Sequence, residues 1–106
     1  MVDASAPAVE ERSKALFGNK DMLALSAAIA GSKERFTAQE MSGTSGVGYS
    51  TTHRLLTSLQ KVGLVERQPR SAGEREQWYL RRRHKFWDAA TDLRREAGAE
   101  GGDGGQ

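Results

Sequence analysis

The stretch between Gly48 and Gly63 does most to restrict what this chain can fold into. Leu55, Leu56, Leu59 and Val62 recur at helical spacing, and Thr52 joins them four residues before Leu56. They form one buried face of a helix. Tyr49, Ser50, Thr51, His53, Arg54 and Thr57 point elsewhere. Gly63 suits a left-handed C-cap, after which Leu64 and Val65 begin a new element. The predicted helix, Gly48–Val62, has one face that needs a body to pack on and a slim polar start left over.

The preceding residues supply that body. Glu10–Phe17 is a short helical candidate stopped by Gly18. Asn19 suits an N-cap, with Asp21 in the favourable first turn of the next helix. There Met22, Leu25 and Ile29 form a stripe widened by Leu23, Ala27 and Ala30, and Gly31-Ser32 closes it. Thr37 with Glu40 three residues on is a capping box. Phe36 before it and Met41 after it fit a hydrophobic staple. The capped helix is short, about Ala38–Thr44, because Gly43, Gly46 and Gly48 crowd the next stretch. Ser45-Gly46-Val47-Gly48 reads as a tight turn holding one buried apolar residue, Val47.

Past Gly63 the period changes. Leu64–Gln68 alternates weakly and meets Pro69, Ser71-Ala72-Gly73 is turn chemistry, and Gln77–Leu80 is an aromatic-rich strand pattern. A two-stranded β-hairpin is expected. Arg81–Ala97 then reads as a last helix with Phe86, Ala89, Ala90, Leu93 and Ala97 on its apolar stripe and Trp87 beside it. The whole is mainly α with a small β part (α+β). Residues 1–9 and the Gly-rich 98–106 lack an apolar period and are expected to be disordered tails around one domain, 10–97.

Several function classes drop out. There is no cysteine, so disulfides, thiol catalysis, iron–sulfur clusters and Cys-based zinc sites are excluded. Two histidines, His53 and His84, are too few for a poly-His metal site in one chain, and no metal or cofactor is expected. Ser50 and His53 lie one helical turn apart on the protruding face with no acid to orient the His, which is not a triad; an enzyme is not expected. No signal peptide and no stretch approaching a membrane span is visible, so a cytoplasmic location is the default.

The charge is unevenly placed. From Arg54 to Lys85 nine Lys/Arg face three acids, a local excess of six in a chain whose net charge is +2. That asymmetry is either an electrostatic footprint for a polyanion or a solvated charge run. Two helices joined by a short Gly-containing turn, the second starting with small polar residues, form the helix-turn-helix pattern. Gly48, Ser50 and Thr51 keep the second helix narrow enough for a groove about 12 Å wide. Their hydroxyls and the free N–H groups of the helix start suit phosphate.

Thr37-Ala38-Gln39-Glu40-Met41, Ser45-Gly46-Val47, Ser50-Thr51-Thr52-His53-Arg54-Leu55-Leu56, Leu59 and Gly63-Leu64-Val65-Glu66-Arg67 together resemble the DNA-binding domain of IclR-type regulators. The chain is similar also to the wider winged-helix group that includes the ArsR and MarR families, and Leu16-Phe17-Gly18-Asn19 resembles the ArsR-like opening. The resemblance covers about Leu16–Leu80. It implies a winged helix-turn-helix transcription regulator, a repressor of the occupancy kind, that takes double-stranded DNA as partner. By position, Tyr49, Ser50, Thr51, His53 and Arg54 face DNA, with Thr57 at the margin. The wing is Arg67–Gln77, with Arg70 or Arg75 on a phosphate or the adjacent minor groove. Gly48-Tyr49 departs from the Pro-Lys pair that often opens this helix in the family. The effector domain of IclR-type proteins has no room in 106 residues, so ligand sensing is not implied.

Other readings stand beside these. Arg54 could pair with Glu66 or Glu40, and Tyr49 could be a lid over the helix start. His53 could be merely solvated, and Arg70 and Arg75 could only solvate the wing tip. Arg81-Arg82-Arg83 with His84 and Lys85 fits a phosphate clamp or a solvated helix start. The last helix either docks on its own chain or forms a homodimer through Phe86, Trp87, Ala90 and Leu93, which would set two recognition helices about 34 Å apart. The functional alternative is a winged-helix protein-interaction module that does not read DNA.

Overall fold

A computed structural model describes residues 6–102 of the chain. Five helices run in the order α1 (Ala6–Phe17), α2 (Met22–Ala30), α3 (Ala38–Ser45), α4 (Tyr49–Lys61) and α5 (Lys85–Gly102). Three short strands are interleaved: β1 (Arg35–Thr37), β2 (Val65–Arg67) and β3 (Trp78–Arg81). They form one antiparallel sheet in the order β1-β3-β2. This is a winged helix-turn-helix fold of the α+β kind.

The main core gathers Leu25 and Ile29 of α2, Phe36, Met41, Val47, the Leu55–Leu56–Leu59 face of α4, Val65, Tyr79 and Trp87. A smaller cluster of Val9, Leu23, Ala90 and Ala97 holds α1 and α5 against α2. Ser13, fully buried on α1, ties that helix to α2. Its hydroxyl donates to Asn19 O and accepts from Leu23 N at 2.9 Å. Asn19 Oδ1 accepts from Asp21 N (2.8 Å) and Met22 N (3.0 Å), so it caps the start of α2 from just outside the helix.

Four boundaries differ from the sequence reading. Helix α1 starts at Ala6 and buries Val9, and α5 runs on to Gly102, so residues 6–9 and 98–102 are helical where tails are expected. The remaining tail residues, 1–5 and 103–106, lie outside the described residues. The hairpin gains a third strand, because Phe36 pairs with Tyr79 across β1 and β3. Arg81 belongs to β3 and not to the last helix. Its Nη1 donates to Ile29 O (2.8 Å) and Ser32 O (2.9 Å), capping the C-terminal end of α2. Val62 is not core: the helix ends at Lys61, Gly63 turns with φ 79°, and Val62 is left 70% exposed.

The last helix docks on its own chain. Trp87 and Ala90 are buried, and Trp87 Nε1 donates to Arg82 O at 2.7 Å. Two of the four residues expected at a dimer contact are thereby used inside the protomer. Phe86 and Leu93 are half-buried, and Phe86 lies edge-on to Phe17 with ring centroids 6.2 Å apart.

Candidate nucleic-acid interface

The helix-turn-helix is built from α3, the turn Gly46–Gly48 and α4. Its first helix starts on a full capping box: Thr37 Oγ1 accepts from Glu40 N (3.1 Å), and Glu40 Oε1 accepts from Thr37 N (2.9 Å). The turn is shaped by Gly46, whose φ of 78° costs an L side chain dearly. Val47 plugs the core between the two helices. Its carbonyl accepts from Ser42 Oγ (2.6 Å) and Thr52 Oγ1 (3.4 Å), and its N–H donates to Ser45 Oγ (3.1 Å). Every polar group of the turn's buried residue is thus satisfied, and the start of α4 is held in place.

The exposed side of α4 and the inner side of the wing enclose a cleft of about 710 Å³. Tyr49, His53, Arg54, Thr57 and Gln60 line it from α4. Arg67, Arg70, Arg75, Glu76, Gln77 and Tyr79 line it from the sheet and wing, and Gln39 from the first turn of α3. The register explains the far wall: Phe36, Tyr79 and Arg67 lie in one row across the three strands, on the face turned to the core. Phe36 and Tyr79 stack with centroids 5.9 Å apart. Tyr79 then forms the floor where Arg67 reaches out. Burial pushes the Tyr79 phenol above its ordinary value of 10.0, with the Arg67 guanidinium pulling the other way and Tyr49 adding to the rise.

Of the ten residues expected at the interface, the cleft brings together seven: Tyr49, His53, Arg54, Thr57, Arg67, Arg70 and Arg75. Gly48, Ser50 and Thr51 sit outside it, on the leading end of α4; Gly48 and Ser50 are exposed and Thr51 is half-buried. The competing partners of Arg54 are taken. Glu66 pairs with Arg82 (3.1 Å), and Glu40 is spent on the cap. Among the described residues no carboxylate lies within ion-pair distance of Arg54, Arg67 or Arg75. Tyr49 is 55% exposed and packs edge-on against His53 (4.6 Å between centroids), one turn along the same helix, so it covers its own neighbour and not the core.

Gln39, Gln60 and Gln77 are cleft residues that the sequence reading passes over, since none carries charge or period. The capping box was the available signal for Gln39, because it fixes the first turn of α3 at the surface. Conversely, Arg83, His84 and Lys85 are exposed but lie away from the cleft. His84 Nδ1 accepts from Phe86 N at 2.9 Å and so caps α5. No group of three or more His, Cys, Asp or Glu among the described residues is placed to hold a metal ion. No described helix is long and apolar enough to cross a membrane.

A scan of family models matches residues 23–69 to the IclR helix-turn-helix domain. The matched stretch takes in nearly all of α2, then β1, α3, α4 and β2, and stops before the second wing strand. No curated protein and no solved structure gives a significant match. Residues 23–69 are therefore an IclR-type helix-turn-helix domain, and the chain that carries them is a DNA-binding transcription regulator of the winged helix-turn-helix type.

Proposed function

We propose that the chain reads a specific duplex sequence as a symmetric dimer and represses by occupying a promoter. The observation that carries this reading is the cleft itself. Four arginines from two separate elements converge on it, and Arg54, Arg67 and Arg75 have no ion-pair partner among the described residues. Cations held without an ion-pair partner on a concave surface suit a phosphate backbone. Arg54, His53 and Tyr49, on the first two turns of α4, take the base edges of the major groove, where Arg commonly pairs with guanine. Gly48, Ser50 and Thr51 lead the helix in, and Thr57 stands at the margin. Arg67, Arg70 and Arg75 of the wing hold the backbone or the adjacent minor groove.

With Trp87 and Ala90 internal, the two-fold contact falls to apolar side chains of the two terminal helices still at the surface: Phe86 and Leu93 of α5, with Leu16 and Phe17 at the end of α1. Selection of bound duplexes from a random pool tests the whole reading. The expected product is a pseudo-palindrome with half-sites about 34 Å, one helical turn, apart. A pool that does not enrich overturns sequence-specific reading; a single unrepeated half-site overturns the dimer.

A further inference from the structure

We infer that Glu74 is a positioning residue of the wing, which presents Arg70 and Arg75 to the cleft although its own charge opposes a polyanion; this rests on the cleft being the DNA-binding surface. By charge alone, an acid between two basic residues of a wing weakens binding. The geometry gives it a different task. Ser71–Glu74 is a tight turn closed by Glu74 N donating to Ser71 O at 3.0 Å. Gly73 sits at its third position with φ 84°, and no residue type other than glycine takes a positive φ in the described chain, which makes the turn type II. The Glu74 carboxylate closes the turn a second time, because Oε2 accepts from Ser71 N at 3.1 Å. Its other oxygen, Oε1, lies 3.6 Å from Arg35 Nη2.

Arg35 is itself fixed. It belongs to β1, on the far edge of the sheet, and its guanidinium carbon lies 4.2 Å from the centre of the Trp78 ring on β3. The Glu74 carboxylate therefore ties the wing tip back to the sheet. Its main chain does the rest: Glu74 O accepts from Arg70 Nη2 at 3.1 Å. Arg70 is oriented by the turn, and Arg75 follows directly from it. Both line the cleft, and Glu74 does not. A loose tip would leave both arginines to be ordered at the moment of binding, at an entropic cost that a fixed tip avoids.

Charge and positioning predict opposite outcomes for two variants that remove the same charge. Both variants lose the ion pair with Arg35, which between partly exposed side chains is worth little, but Glu74→Gln keeps an oxygen able to accept from Ser71 N, whereas Glu74→Ala keeps nothing. The test measures both against the wild-type chain on the selected duplex, by fluorescence anisotropy across a salt series. It also follows amide exchange at Ser71 and Glu74. The expected result is that Glu74→Ala binds about five- to tenfold more weakly, the scale of one ordinary hydrogen bond of preorganisation. Glu74→Gln should bind as well as wild type or better. The Ser71 amide should exchange faster in Glu74→Ala only, while its melting temperature stays near wild type. In an Arg70→Ala background most of the effect of Glu74→Ala should vanish.

If both variants bind more tightly by a similar factor, the residue acts through charge alone and the inference fails. It also fails if both weaken equally, because the turn acceptor is then irrelevant. If the wild-type chain binds no duplex, the cleft reading fails instead, and the exchange data still tell whether Glu74 orders the tip.

Discussion

Replacing Arg75 with Ala removes one of four arginines that line the cleft between α4 and the wing. Each phosphate neutralised on duplex DNA contributes a slope of about −0.9 to the dependence of log affinity on log salt. With Arg54 on the base edges, Arg67, Arg70 and Arg75 give three contacts per protomer and a slope of about −2.7, which is roughly a 40-fold loss of affinity between about 50 and 200 mM salt. With two contacts the slope falls to about −1.8 and the loss to about 12-fold. Arg75 has no carboxylate within ion-pair distance among the described residues, so its removal does not release a competing acid. The slope change is then the clean count of one phosphate contact per protomer, two in the proposed dimer. Fluorescence anisotropy with a labelled duplex over a salt series measures it, and a scrambled duplex should show the same change, since a phosphate carries no sequence. Lys14→Ala, on α1 and away from the cleft, is the control for net charge. An unchanged slope in Arg75→Ala, or an equal change in Lys14→Ala, would refute the assignment of the wing to the DNA backbone.

Arg54→Ala should behave differently. It should cost about 1–3 kcal/mol on the selected duplex and little on a scrambled one, so the ratio of the two affinities is the quantity to measure. Thr37→Ala deletes one half of the capping box that starts α3, and should lower stability by about 1 kcal/mol in thermal or urea unfolding, with Thr37→Ser retaining most of it. Tyr79 should make folding sensitive to alkali. Its phenol is raised above 10.0 in the fold, so the neutral form is favoured there; the contribution is complete below that value and is lost as pH rises through the higher folded one. Tyr79→Phe should show a shallower fall in melting temperature above about pH 10 than wild type does.

What the sequence made legible was local. The Thr37–Glu40 cap, the stop at Gly18, the turn at Gly46, the left-handed Gly63 and the Leu55–Leu56–Leu59 face all depend on neighbours within a turn or two. Strand β1 could not be read that way. Three residues carry no alternation, and Arg35–Thr37 is a strand only because β3 lies beside it. Arg81 was misplaced for the same reason. Next to Arg82 and Arg83 it looks like helix-start charge, whereas its guanidinium serves carbonyls at the end of α2. Val62 kept the helical period but lies past the last turn, where Gly63 redirects the chain. In the cleft, charge and position on α4 located seven residues. The neutral glutamines carried no such mark, and the role of Glu74 was hidden because charge reads it with the wrong sign.

Thr37 is both the last residue of β1 and the cap of α3, with nothing between strand and helix. The sheet that carries the wing and the helix pair that carries the reading head are consequently one mechanical piece. The Phe36–Tyr79 stack, whose Tyr79 end lines the cleft, ties β1 to β3. In the proposed complex such a frame leaves few joints at which the protein can adjust. On the proposed reading misfit then falls to the duplex, so base steps that no side chain touches would count through the ease with which they bend or narrow.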